Sequence, residues 1–280
     1  MTGGALSEGL GQRETDWARP DESGAVSADS ALPGLPSGPA QGVRLPGDVV
    51  ANRYSLRHPI ASGGMGQIWE AYDLRLEVVI ALKLVRDEGR GSTLDERLLE
   101  EARAAAAAAG DHVVQVLDIG VDGDARYLAM EMVPGEPLAA KISESVPLEP
   151  TEAVLIALSI LRGLAAVHRS GVVHRDIKPE NVMVIPTDGG GTRTKILDFG
   201  VARRLSHDVR LTREGYALGT PLYMAPEQAA ALDDIDARAD VWAVSVVLYE
   251  MLAACTPFAA ADFRGVICNI HRGEYASLSS

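Results

Sequence analysis

The sequence predicts an α+β protein built as two lobes, and three observations carry that prediction. Five short strand-like runs crowd into residues 53–133, with a single helical segment among them. Beyond Pro134 the apolar spacing turns predominantly helical. The 280 residues are 47% hydrophobic, enough for cores of that size without covalent staples.

Taken in order, residues 1–47 are rich in Gly, Pro, Ala and Ser, and LPGLPSGPAQG (32–42) is made of turn formers without an apolar period. They read as a disordered tail. A first lobe is expected over 48–132 and a second over 133–280. The strands of the first are RYSLRHPIA (53–61), GQIWEAYDL (66–74), VVIALKLV (78–85), VVQVLDIGV (113–121) and YLAMEMV (127–133). A helix is expected over 94–109, because Thr93 and Glu96 match a capping box and Gly110 suits its end. In the second lobe Thr151 is the expected N-cap of an apolar helix running to His168 and ended by Gly171. Asp188-Gly189-Gly190-Gly191 marks a hairpin turn, and a last long helix spans about 236–254.

Charge and composition narrow the function. The chain carries 26 Lys+Arg against 39 Asp+Glu, a net charge of −13. A protein whose main work is gripping nucleic-acid backbones needs a basic surface, so no nucleic-acid partner is expected. Cys255 and Cys268, the only cysteines, build neither a disulfide framework nor a zinc site, which points to a reducing compartment. No membrane span is expected: the best candidate, Val241–Cys255, is interrupted by Glu250 and falls short of the ~18–20 residues a crossing needs. The start, MTGGALSEGLGQRE, has no basic stretch followed by an apolar one, so a cytoplasmic location is expected.

Three segments carry chemistry. Ser62-Gly63-Gly64-Met65-Gly66 lies between two strands, where glycines let backbone N–H groups approach phosphate oxygens; alone it is equally a plain turn. Lys83 sits in an apolar strand 17 residues after Gly66. Buried there it needs an anion; at a sheet edge it would only face water. Leu94, Leu98, Glu101, Ala105 and Ala108 share one face of the 94–109 helix, which puts the Glu101 carboxylate on an apolar stripe in need of a cation. The third segment is His174-Arg175-Asp176-Ile177-Lys178-Pro179-Glu180-Asn181, followed 22 residues after Asp176 by Asp198-Phe199-Gly200. Two carboxylates and an amide on loops beside strands suit a divalent-metal and proton-transfer site, although singly each Asp also suits a turn or cap.

With GGMG in the glycine loop, HRDIKPEN and GTPLYMAPEQ, the chain from about Tyr54 onward resembles the bacterial Hanks-type, eukaryotic-like serine/threonine protein kinases. The resemblance implies a bilobal kinase fold, a small β-rich lobe with one helix and a mainly helical second lobe. It implies transfer of the ATP γ-phosphate to protein Ser/Thr hydroxyls, with ATP and Mg²⁺ as cofactors and Mn²⁺ as a substitute. Gly63, Gly64 and Gly66 then resemble the loop over the phosphates. Lys83 would hold the α- and β-phosphates and pair with Glu101. Asp176 resembles the base for the substrate hydroxyl, Lys178 the γ-phosphate contact, and Asn181 and Asp198 the metal ligands. Ile60, Ile68 and Ala81 would line the roof of the adenine pocket and Met183 its floor. Met130 would be the gatekeeper before the hinge residues Glu131 and Met132, with Met132 the backbone contact.

The resemblance also implies regulation. Arg175, just before Asp176, would pair with a phosphate on Thr212, the expected autophosphorylation site, with Glu214 supplying part of that charge permanently. Thr220 resembles the threonine shaping the substrate pocket. Expected partners are ATP and proteins bearing Ser/Thr, with dimerisation compatible but unsupported by any motif. Against the family pattern stand Ala61 at the first loop glycine, Ala105 in a hydrophobic stack, Ala243 and Ser245 after Trp242, and a second lobe expected to be incomplete after Pro257-Phe258, leaving Glu227 without its usual arginine. The competing reading is a pseudokinase or truncated nucleotide-binding scaffold without turnover.

Overall fold

Alternating side chains in the first half of the chain build a six-stranded antiparallel sheet. The computed structural model describes residues 44–63, 66–86, 110–123, 125–142, 146–187, 189, 191–197, 221–232 and 234–278. The strands are β1 (Val49–Val50), β2 (Tyr54–Gly63), β3 (Gly66–Asp73), β4 (Val78–Arg86), β5 (Val116–Asp122) and β6 (Ala125–Glu131), in the order β1-β2-β3-β4-β6-β5. The five strand runs read from the sequence are therefore all present, their ends displaced by up to three residues. The expected 1–47 tail lies outside the described residues up to residue 43. The described chain starts at Arg44, whose guanidinium already pairs with Asp122 at 2.7 Å. The expected helix over 94–109 also lies outside the described residues.

Period-two alternation gives the sheet two different faces. One carries Trp69 and Ala71 of β3, Ile80, Leu82 and Leu84 of β4, and Ala129 of β6, all buried with Val50, Tyr54 and Leu56 in a core of the sheet's own. Each large apolar side chain removed from water there contributes roughly 1.5–3 kcal/mol. The opposite face is set by register: Ile68 lies across from Lys83, and Ala81 across from Met130. The β2–β3 hairpin closes on a Gly63–Gly66 pair. Gly66 has φ +131°, and a Cβ there would lie 2.1 Å from the Leu84 carbonyl oxygen, so only glycine lets β3 and β4 meet. At the far end, Asp73 accepts from the Arg75 and Leu76 amides at 2.9 and 3.2 Å and ties down the β3–β4 turn. Its other contacts run to Arg53, which also reaches Asp118 at 3.0 Å, while Tyr54 donates to Asp118 at 2.7 Å.

The second lobe combines a three-stranded sheet with helices. The sheet is β7 (Glu136–Pro137), β8 (Val182–Pro186) and β9 (Thr192–Ile196), and the expected hairpin turn joins β8 to β9 with Thr187 N–H on the Gly191 carbonyl at 2.9 Å. Gly135, at φ +112°, brings β7 against β8: a Cβ would sit 2.2 Å from the Val184 oxygen. The helices are α1 (Leu138–Lys141), α2 (Pro150–Arg169), α3 (Pro226–Ala229), α4 (Arg238–Ala253) and α5 (Phe263–Arg272). Thr151 is not the N-cap of α2. Pro150 holds N1 with its fixed φ and Glu149 precedes it as the cap residue, with no side-chain cap bond. Ile156, Ile160 and Leu164 of α2 pack with Val244, Val247 and Met251 of α4 and with Val182, Val184 and Ile196 beneath the small sheet.

The length expectation for membrane spans also needs correcting. The 20-residue α2 contains an 18-residue stretch of mean hydropathy 1.6 and is long and apolar enough to cross a membrane by length and composition. In this fold eight of its residues are buried, the ordinary fate of a core helix. Trp242 of α4 stacks on Phe258 beyond its end, ring centroids 5.5 Å apart, and α5 starts with Asp262 accepting the Gly265 amide at 2.7 Å. A third apolar cluster of Val113, Val114, Met130 and Val167, with Ala81, Leu128 and Leu197 against it, joins the large sheet to the end of α2.

Candidate active site

On the face of the large sheet away from its own core, Lys83 is 5% exposed. An ammonium that deeply placed is costly without an anion, and the edge-strand alternative is excluded, since β4 lies between β3 and β6. Ile68 stands opposite it, and Ala81 and Met130 lie on the same face. Ile60 falls at a register shift between Pro59 and Ala61 and is 50% exposed, at the glycine-loop end of β2. On β8, Met183 alternates with Val182 and Val184, which face the second core, so it presents to the other side. Glu131 lies opposite Ile80, so its carboxylate is on the core side of the sheet and only its backbone remains for a ligand on the Lys83 face.

The segment 172–181 between α2 and β8 owes its shape to a carboxylate that sequence reading did not assign. Asp240, fully buried in the first turn of α4, accepts the His174 and Arg175 amides at 2.8 and 2.7 Å and His168 Nε2 at 2.7 Å. These bonds hold Arg175 at φ +66°, a left-handed conformation that costs a non-glycine residue roughly 1–3 kcal/mol. The Arg175 carbonyl accepts from Gln228 Nε2 of α3 at 2.9 Å. His174 is buried too: Nδ1 accepts the Asp176 amide at 3.3 Å, so the proton sits on Nε2, which donates to the Leu197 carbonyl at 2.9 Å. The backbone at residues 174–176 is thus fixed from three elements.

That frame brings three of the expected catalytic groups together. Asp176 Oδ2 accepts from Asn181 Nδ2 at 3.0 Å and lies 3.2 Å from Lys178 Nζ. Asn181 Nδ2 also donates to the Asp176 carbonyl at 2.8 Å. Both amide hydrogens are then spent on Asp176, which leaves Oδ1, a hard oxygen, as the end able to take a cation. The Leu197 amide donates to the Asn181 carbonyl at 2.8 Å and places the chain one residue before Asp198. Gly64, Glu101, Asp198, Thr212, Glu214 and Thr220 lie outside the described residues. Among the described residues no group of three His, Cys, Asp or Glu is placed to hold a metal ion.

The neighbouring 221–227 segment adds a second acidic position. Tyr223 donates to Glu250 Oε2 of α4 at 2.8 Å. Burial, helped by the charge of Glu180, pushes the Glu250 carboxyl above its ordinary range, with the Tyr223 hydroxyl working against that. Glu227 is half-buried, and its charge reaches Arg238. Among these residues, a carboxylate at the start of an apolar helix was the signal available for Asp240, whereas Glu250 carried none beyond its charge.

The protein kinase domain family matches residues 54–275. The chain belongs to the protein kinase family. The serine/threonine-protein kinase pkn3 of Myxococcus xanthus is 38% identical over 222 residues, covering 76% of this chain and 40% of the relative. The serine/threonine-protein kinase PknL of Mycobacterium tuberculosis is 38% identical over 211 residues, covering 74% and 51%. PknD from the same species is 38% identical over 208 residues, covering 74% and 30%. The chain therefore spans about half or less of the length of these curated relatives. Kinase membership carries with it use of ATP and a divalent metal ion. The residues present fit both: Lys83 is a buried cation beside Ile68, Ala81 and Met130 for phosphates, and Asn181 offers an amide oxygen to the metal.

Proposed function

We propose that the chain is a serine/threonine protein kinase that transfers the γ-phosphoryl group of ATP to protein hydroxyls, with Mg²⁺ preferred and Mn²⁺ able to substitute. The observation that supports this most is the Asp176–Lys178–Asn181 cluster on a backbone locked by Asp240. Transfer to a hydroxyl needs little covalent help from the protein. It needs positioning and charge neutralisation, and these groups are built for that.

In this reading Lys83 neutralises the α- and β-phosphates from the sheet side, and Ala81, Ile68, Met130 and Met183 enclose the base. The backbone at Glu131 and Met132 supplies its polar contacts. Asp176 orients the incoming hydroxyl and accepts its proton as the new O–P bond forms and the bond to ADP breaks. Lys178, 3.2 Å from Asp176, holds the transferring group's charge and stops Asp176 from turning away. Asn181 Oδ1 and Asp198 would hold the metal, which when bound neutralises the charge on the phosphate oxygens. Autophosphorylation at Thr212, with Arg175 receiving the phosphate, belongs to the same proposal, as does Thr220 at the substrate pocket. So does a cytoplasmic location, where ATP is abundant and the exposed Cys255 and Cys268 stay reduced. No observation favours the scaffold reading.

The test is incubation of the purified chain with γ-labelled ATP and Mg²⁺, with and without a generic protein substrate, beside Asp176→Asn. Incorporation into Ser/Thr that falls by about 10²–10⁴-fold in the variant is expected. Equal labelling of both proteins would refute the proposal. Phosphopeptide mapping of fully active protein that never finds Thr212 modified would remove the autophosphorylation part alone.

A further inference from the structure

At the end of the large sheet, three chain segments meet at one carboxylate. Glu131 ends β6 and is the last residue of the large sheet. Its Oε1 accepts the Gln115 amide at 2.8 Å and pairs with Lys195 Nζ of β9, while its own amide donates to the Gln115 carbonyl at 3.0 Å. Lys195 is only 13% exposed along its side chain and Glu131 28%, so this is not a solvated surface pair. The 112–115 segment is tied to β9 as well: Val114 N–H donates to the Ile196 carbonyl and Ile196 N–H to the His112 carbonyl, both at 2.9 Å. Glu131 thus clasps the large sheet, the 112–115 segment and the small sheet.

We propose that Lys195 is a positioning residue for nucleotide binding, acting through Glu131 to hold the backbone edge at residues 131–132. The inference rests on the kinase reading above. Register puts the Glu131 side chain on the Ile80 side of the sheet, away from Ala81, Lys83 and Met130, while Lys195 lies across from Met183 on the small sheet and is turned to Glu131. Its effect is through geometry. The chain passes from β6 to β7 in only four residues, 132–135, and the link to Lys195 fixes where that passage starts relative to the second lobe. A preset edge binds the base without first having to be ordered, and loss of the link moves that ordering cost into the binding step.

Equilibrium binding of ATP with Mg²⁺, and kcat at saturating ATP, are measured for the parent chain, Lys195→Met, Glu131→Gln and the double variant. Glu131→Gln keeps an oxygen for the Gln115 amide and removes only the charge, so it serves where the lysine variant folds poorly. Lys195→Met is expected to weaken ATP binding about tenfold, with kcat held within about twofold. The double variant is expected to bind no worse than the weaker single, because both break one link. A merely structural role would lower the fraction of protein able to bind and leave the dissociation constant alone. ATP affinity in both single variants within about twofold of the parent, or losses that multiply in the double variant, would overturn the inference. Failure of the parent chain itself to bind ATP would overturn the nucleotide reading, and this inference with it.

Discussion

Replacing Asp240 with asparagine tests whether one buried carboxylate shapes the catalytic loop. Asp240 is fully buried and accepts three hydrogen bonds, from the His174 amide, the Arg175 amide and His168 Nε2. An asparagine in the same place has one oxygen. Set at the Oδ2 position, it keeps His174 and His168, and its NH₂ then faces the Arg175 amide, donor against donor. The variant loses a charge-assisted bond and buries an unpaired backbone N–H, about 2–4 kcal/mol together. For a unit of this size each kcal/mol lowers Tm by about 2–4 °C, so the expected drop is roughly 4–16 °C. The lost bond is also the one holding Arg175 at positive φ. Its relaxation shifts Asp176, and misplacement of about 1 Å costs on the order of 10²-fold in kcat. Thermal unfolding and single-turnover phosphoryl transfer read the two effects. A variant melting within about 1 °C of the parent with unchanged kcat would refute the reasoning.

Two further substitutions follow from the geometry. Gly66→Ala places a Cβ 2.1 Å from the Leu84 oxygen at φ +131°, so urea unfolding is expected to show a loss of about 3 kcal/mol or more as β3 and β4 are forced apart. Glu250→Gln concerns pH. The folded Glu250 carboxyl is raised above its ordinary 4.5, so the folded protein binds that proton more tightly than the unfolded chain does. The stabilisation is present at low pH and is lost as pH rises through the raised value, leaving a penalty at neutrality. Gln keeps an acceptor for Tyr223 without the charge. The variant is expected to melt above the parent at pH 7–8, with the gap closing as pH falls toward 4.5; a gap that widens in acid contradicts the assignment.

The sheet was legible in the sequence because alternation is local. Leu82 and Leu84 flank Lys83, and once those two are core the lysine must face the other way. The 174–181 motif was legible because its groups are close in sequence and meet within one turn of chain. Asp240 was not, since its partners lie 65 to 72 residues away and only the folded α2–α4 packing brings them together. Lys195 sits in TRTKI, where alternation reads as a plain strand with a solvated lysine, and nothing local announces Glu131 64 residues earlier. The cap at Thr151 failed for a local reason: Pro150 can begin a helix without a side-chain cap, so the better capping residue was not used.

The two-faced sheet also constrains how chain length can vary. Side chains in β4 alternate between its hydrophobic core and the ligand face, so deletion of one residue between Val78 and Lys83 would exchange the faces, carrying the lysine into the core and Leu82 into the cleft. The 74–77 turn, with Leu74 and Leu76 about half exposed, has no such commitment. Insertions and deletions in related sequences should therefore collect in that turn, and the strand from Val78 to Lys83 should keep its residue count even where its residues change.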